Sequence, residues 1–298
     1  MTRPSTIGFA LCACFAYGCG SGGGLMHPAH TLPEGHVTMG AGVSSQFVLG
    51  EGDDKIQAAR AVSATGSVPA ETPEEQTYIE GAMAETLGGP GLAPWVGARV
   101  GVGYTSDAGL TYTGRRARLD GRHAFEDKST AVSLGLGASA ILAHPSQSEG
   151  DAPQRNQTVP GFDSGPTRGW GFDIPVIVGW RSSPSLVQVW GGARGGYDRM
   201  IGDVIVQIDP DPGAPVEEDE FEASRWFAVL VAGIGVGIDP VMVAVEVDAG
   251  YLGGKGSVIR LPRDTNGPGI PPDPVSRRLN GKVETFIVTP TAAAIVSF

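Results

Sequence analysis

The sequence predicts an all-β fold, an up-and-down antiparallel transmembrane β-barrel of ten strands, with eight as the alternative count. Three observations lead there. The final strand alternates to the last residue, with Phe286, Val288, Pro290, Ala292, Ala294, Val296 and Phe298 on one face. Such a period-2 run marks a β-strand. Most other strand-like segments set a large apolar face against one of Gly, Ser and charged residues. Links between them alternate short and long, with Gly114-Arg115 the one short link among the outer ones.

The chain opens with an export-like segment. Arg3 and the apolar run Ile7–Tyr17 form a charged n-region and an h-region, giving a signal peptide over 1–18. All three Cys, at 12, 14 and 19, lie here, so no disulfide framework links the body. Ala16-Tyr17-Gly18-Cys19 followed by Gly20-Ser21 resembles a bacterial lipoprotein signal, which would make Cys19 the lipidated N-terminus; cleavage by ordinary signal peptidase is the alternative. Residues 19–34 are expected to be a flexible leader, and 35–298 the barrel.

Strands are expected at 35–49, 94–105, 107–114, 115–126, 130–143, 168–181, 185–199, 222–238, 240–253 and 281–298. In the second, Val96, Ala98, Val100, Val102 and Tyr104 oppose Trp95, Gly97, Arg99, Gly101 and Gly103. In the fifth, Val132, Leu134 and Leu136 oppose Ser133, Gly135 and Gly137. A narrow lumen has little room for large side chains, so Gly suits its wall; the solvent face of a soluble sandwich would favour Lys, Thr and Glu. Tyr104, Trp170, Trp180, Tyr197, Trp226, Tyr251 and Phe298 end outward rows, as interfacial aromatics would. Thr72 with Glu75 makes a capping box, and Pro73 suits the first helical position, predicting a short helix in the first long link.

The short links are Thr105–Asp107, Asp127–Ser129, Ser182–Pro184 and Asp239-Pro240. Long ones cover 50–93, 144–167, 200–221 and 254–280. Membrane barrels have short periplasmic turns and long outer loops, so both termini are expected in the periplasm. On these features, residues 35–298 resemble small bacterial outer-membrane β-barrel proteins. The resemblance implies a porin-like Gram-negative outer-membrane protein in contact with membrane lipid and lipopolysaccharide. It also implies that the barrel-assembly machinery reads the C-terminal signal of Phe298, Val296 and Ala294.

Composition excludes some functions. A net charge of −11 does not suit sequence-independent nucleic-acid binding. No apolar run supplies the roughly 20 residues of a transmembrane helix. Gly233-Ile-Gly235-Val-Gly237 follows strand alternation and matches no phosphate loop. His144, Ser146, Asp163 and Ser164 share one link without forming a triad motif, so no catalytic residue, cofactor or metal is expected.

The candidate site is the lumen. Register turns Arg99, Arg116, Arg118, Asp120, Arg122, Glu126, Asp173, Arg181, Arg194, Asp198, Glu246 and Asp248 inward. Charges buried together must pair, because unpaired ones are costly. Two readings follow: a salt-bridged plug in a structural or surface-interaction protein whose extracellular partner is unknown, or a charged constriction selecting small solutes.

Overall fold

A computed structural model describes residues 23–64, 72–142, 162–164, 167–183, 186–206, 217–260 and 277–298. The signal segment, Cys19, His144 and Ser146 lie outside them.

Ten strands close into an antiparallel barrel: β1 (Val37–Leu49), β2 (Gly91–Gly103), β3 (Ser106–Tyr112), β4 (Arg116–Glu126), β5 (Thr130–Ile141), β7 (Arg168–Arg181), β8 (Val187–Val206), β9 (Glu217–Ile238), β10 (Val241–Arg260) and β11 (Arg277–Ser297). The three-residue β6 (Phe162–Ser164) pairs with the end of β8 outside this ring. Neighbouring barrel strands pair in sequence order, and β1 pairs with β11 to close the circle, with Ala41 opposite Ala294.

Pleating explains the two faces, since successive side chains point opposite ways. Val102, Leu119, Leu134, Val178, Leu230 and Val243 are exposed on the outer surface. Gly137, Asp173, Arg194 and Glu246 belong to the opposite rows. A closed barrel leaves no unpaired sheet edge, so the backbone can be satisfied within an apolar phase.

The short β3–β4 link lies at one end of the barrel, while the β2–β3, β4–β5, β7–β8 and β9–β10 links and the ends of β1 and β11 at Val37 and Ser297 share the other. There the β2–β3 turn places Tyr104 and Thr105 at φ 51°, a left-handed pair that matches a tight hairpin turn. The β9–β10 turn contains the cis Asp239–Pro240 bond. At the long-loop end the wall is uneven. β8 to β11 run 20, 22, 20 and 21 residues, whereas β3 has 7 and β4 has 11. The expected loops at 200–221 and 254–280 are therefore partly strand. Polar residues such as Glu220, Glu222 and Lys255 hide the alternation there.

The first long link holds two helices, α1 (Glu51–Ser63) and α2 (Pro73–Gly88), rather than the one expected. In α2 the Thr72 hydroxyl accepts the Glu75 N–H at 3.3 Å, and Gly89 ends the helix at φ 52°. Tyr78, Ile79, Met83 and Leu87 are buried in one cluster with Phe221, Leu252, Val258 and Val283 of the tall wall. Gln76 Nε2 donates to the Asn280 carbonyl at 2.8 Å, and Lys55 Nζ donates to that of Lys282 at 2.6 Å. The helices thus cap the mouth from within the extended wall. α1 escapes sequence reading because it has few large apolar residues, Ile56 being the buried one.

Within the stretch expected as a flexible leader, residues 23–32 run inside the barrel, with Leu25, Met26 and Ala29 buried, and Pro33 and Glu34 emerge at the short-turn rim. A Gly-, Pro- and His-rich segment has the composition of a linker, but here its main chain meets polar groups of the lumen wall.

Candidate functional site: the charged lumen

Six arginines occupy the interior: Arg99, Arg116, Arg118, Arg122, Arg194 and Arg225. Six carboxylates accompany them: Asp107, Asp120, Asp173, Asp198, Glu246 and Asp248. Glu75 and Asp219 are buried nearer the helix-capped mouth, and the arginines find their ion-pair partners in Asp107, Asp120, Asp173 and Asp198.

The pairs form two groups along the wall, a chain from Arg122 to Arg194 and a trio around Asp198. Arg122 Nε donates to Asp107 at 2.8 Å, and Arg99 bridges Asp107 to Asp120. Arg118 joins Asp120 at 2.5 Å to Asp173, which it grips through Nε and Nη2, both at 2.8 Å. Arg194 takes the other side of Asp173 at 3.1 and 3.2 Å. Nearer the long-loop end, Asp198 accepts from Arg116 and, at 2.7 Å, from Arg225 Nε. Arg225 also donates to the Leu87 carbonyl, tying the ion pairs to the end of α2. Planar guanidinium forks allow each arginine to hold two partners at once.

Glycines make this packing fit. A Cβ at Gly109 would lie 2.6 Å from the Arg99 guanidinium, and one at Gly137 2.5 Å from that of Arg118. The Gly-rich inner rows are therefore the seats of the arginines, not open space.

Glu246 and Asp248 stand on the opposite wall. Glu246 accepts Trp190 Nε1 at 2.7 Å and the N–H groups of Leu25 and Met26. Asp248 Oδ1 finds no partner among the described residues. A cavity of about 50 Å³ lies between the leader, Arg116, Arg225 and Asp248; a second, of about 160 Å³, follows the leader from Leu25 to Pro33.

Glu126 and Arg181 continue the inner rows to the short-turn rim as a partly exposed pair 4.0 Å apart; Glu126 also accepts the Thr31 N–H, and Arg181 lines the cavity beside the leader. Asp107 and Arg225 join the buried charges, and sequence reasoning missed both. Asp107 was expected in a turn; β3 begins one residue earlier and carries it inward. Both rows of β9 are apolar, Phe227 and Val229 inside and Leu230 and Ile234 outside, so periodicity could not mark Arg225 as internal.

Among the interfacial candidates, Tyr104, Trp170, Trp180, Trp226, Tyr251 and Phe298 are exposed on the outer surface. Tyr197 is half-buried against Trp170 and Phe172, with ring centroids 6.0 and 6.1 Å away. Val296 and Ala294 lie on the outward row of β11 beside Phe298. No group of three or more metal-ligating side chains occurs among the described residues.

No protein-family model matches this sequence, and no curated protein matches it. Solved structures do. One is the attachment invasion locus protein Ail of Yersinia pestis, 8% identical over 89% of this chain and 99% of that one, with a TM-score of 0.33. Another is the CymD monoaromatic hydrocarbon channel, at 13% over 90% and 89%, with a TM-score of 0.33. A third is a major outer membrane protein from Thermus thermophilus, at 10% over 88% and 99%, again with a TM-score of 0.33. At such identities and TM-scores they add nothing to the barrel that strand pairing already establishes.

Proposed function

We propose that this chain is a closed bacterial outer-membrane barrel acting as a structural or surface-interaction protein through its helix-capped, long-loop end. The carrying observation is the network of buried ion pairs beneath α2, which occupies the lumen where an open channel would hold water. In this reading the short-turn end and both termini face the periplasm, and the apolar belt meets lipid, with lipopolysaccharide on the outer leaflet. Residues 1–18 serve as the signal peptide, Cys19 carries the lipid, and the assembly machinery recognises Phe298, Val296 and Ala294.

The test is conductance of the purified full-length protein in planar bilayers, after a heat-dependent gel shift has established a detergent-resistant barrel. Silence at moderate voltage supports the closed reading. Stable steps whose ion selectivity changes in Arg99→Gln or Arg118→Gln would replace it with a selective channel.

A further inference from the structure

We propose that the lumen wall is a binding track for the main chain of an extended polypeptide, a track that the protein's own residues 23–32 fill in cis. This goes beyond the closed-barrel reading, because it assigns the interior a ligand class.

The contacts define that class. Arg194 Nη1 donates to the Gly23 carbonyl at 2.6 Å and Trp95 Nε1 to that of Gly24 at 3.1 Å. Glu246 clamps the consecutive N–H groups of Leu25 and Met26. Arg122 donates to the carbonyls of Pro28 and, at 2.9 Å, of His30. The N–H groups of Thr31 and Leu32 donate to Glu126 and Asp107, each at 3.2 Å. Six wall side chains thus address the main chain at eight positions, with donors meeting carbonyls and carboxylates meeting N–H groups.

The side chains of the segment divide: Leu25, Met26 and Ala29 are buried in the apolar cluster and the Thr31 hydroxyl donates to Glu126, whereas the imidazoles fit less well. His27 meets Arg122 at 3.1 Å through Nδ1, but the Nε2 atoms of His27 and His30 are buried without a partner among the described residues. A cavity of about 160 Å³ runs along the same stretch. A plug shaped to its own sequence would satisfy its imidazoles and fill that gap. Main-chain hydrogen bonding instead accepts many sequences, as when an extended peptide joins a sheet edge. Steric selection falls on Gly24 to Met26 and on Ala29, where Leu25 and Met26 are buried in the apolar cluster. A Cβ at Gly24 would strike Thr291, and Ala29 Cβ already lies against Gly179.

The test uses the full-length protein in detergent micelles. Gly24→Val with Ala29→Glu ejects the resident segment by those two clashes and leaves the wall intact. The probe is a fluorescein-labelled synthetic peptide of residues 23–34, followed by anisotropy. The variant is expected to bind it saturably and at least tenfold more tightly than the unaltered chain does. A peptide that keeps Gly24, Leu25, Met26, Ala29 and Thr31 in place and scrambles the other positions should bind within tenfold of the original. N-methylation at positions 25 and 26, which removes the two donors to Glu246, should weaken binding by about tenfold or more, the scale of a hydrogen bond to a charged group. Absence of saturable binding in a variant that keeps its heat-dependent gel shift overturns the proposal, as does equal binding of the N-methylated peptide. If the double variant does not fold, Leu25→Cys with Cys12→Ser, Cys14→Ser and Cys19→Ser replaces it. Excess 23–34 peptide should then speed thiol labelling at position 25 about tenfold, and an unchanged rate rejects the track. Neither readout depends on whether the barrel conducts.

Discussion

Asp173→Asn tests the ion-paired lumen at its centre. Asp173 is fully buried and accepts four hydrogen bonds, two from Arg118 at 2.8 Å and two from Arg194 at 3.1 and 3.2 Å. The amide keeps the shape and one acceptor oxygen but removes the charge and turns an NH₂ toward one guanidinium. Arg118 retains Asp120, whereas Arg194 is left with the Gly23 carbonyl and the face of Phe227, whose centroid lies 5.3 Å from its Cζ. Removing one member of a buried pair costs roughly 3–5 kcal/mol, and the loss here should fall in that range. Guanidinium unfolding in micelles, followed by tryptophan fluorescence and checked by the gel shift, measures it. Replacing the whole group, with Asp173→Leu, Arg118→Met and Arg194→Met together, should recover part of the stability, because the guanidinium that Asp173→Asn leaves without its carboxylate is removed as well. Raising salt from about 0.1 to 1 M shortens the Debye length from about 10 to 3 Å, yet should leave the Asp173→Asn loss unchanged. A loss under about 1 kcal/mol, the scale of a solvent-exposed pair, or one that shrinks with salt, would mean a hydrated lumen and refute the reasoning.

Tryptophans report the two faces separately: in single-tryptophan variants, lipids brominated on their acyl chains should quench Trp170, Trp180 and Trp226 and spare the buried Trp95 and Trp190. Equal quenching would remove the membrane from the account. Gly137→Leu should cost roughly 1–3 kcal/mol by pushing Arg118 from its seat, whereas Gly121→Leu, where an added Cβ meets nothing within 4 Å, should stay within about 0.5 kcal/mol of the parent; chemical denaturation compares them. Burial, then Arg181, lowers the His30 pKa, and burial with Arg99 and Arg122 lowers that of His27 further. A released segment therefore binds protons more readily than a seated one. Its seating is strongest above the ordinary histidine value of about 6.5 and weakens as pH falls below it. Labelling of Leu25→Cys, normalised to an exposed cysteine, should accordingly rise from pH 7.5 to pH 5, and lose that dependence in His27→Gln/His30→Gln.

What the sequence made legible was whatever alternation encodes. The outward rows and the inward placement of the proposed lumen charges follow from period 2 alone, with Glu126 and Arg181 reaching the rim. The helix at 73–88 followed from its capping residues. What stayed hidden lacked such contrast. Arg225 sits in a strand apolar on both faces, and Asp107 lies one residue from a turn. The extended ends of β8 to β11 are polar enough to pass for loops. The lodging of residues 23–32 has no periodicity, because it depends on complementarity between their main chain and side chains from several different strands.

Charge is distributed unevenly around the ring, and this bears on how the barrel closes. Every junction except β1–β11 joins strands consecutive among the ten, while this one unites chain segments more than two hundred residues apart, with Val43 opposite Ala292. It carries the largest entropic cost of closure. β1 bears no charged side chain, and β11 bears none from Thr285 to its end; they offer the interior Ser44, Gln46, Thr289, Thr291 and Ile295. The arginines and aspartates of the two paired groups all lie on β2, β3, β4, β7, β8 and β9. A still-open sheet can therefore begin to satisfy its ions through adjacent hairpins, and the final zippering dehydrates only hydroxyls, an amide and hydrocarbon along its own edges.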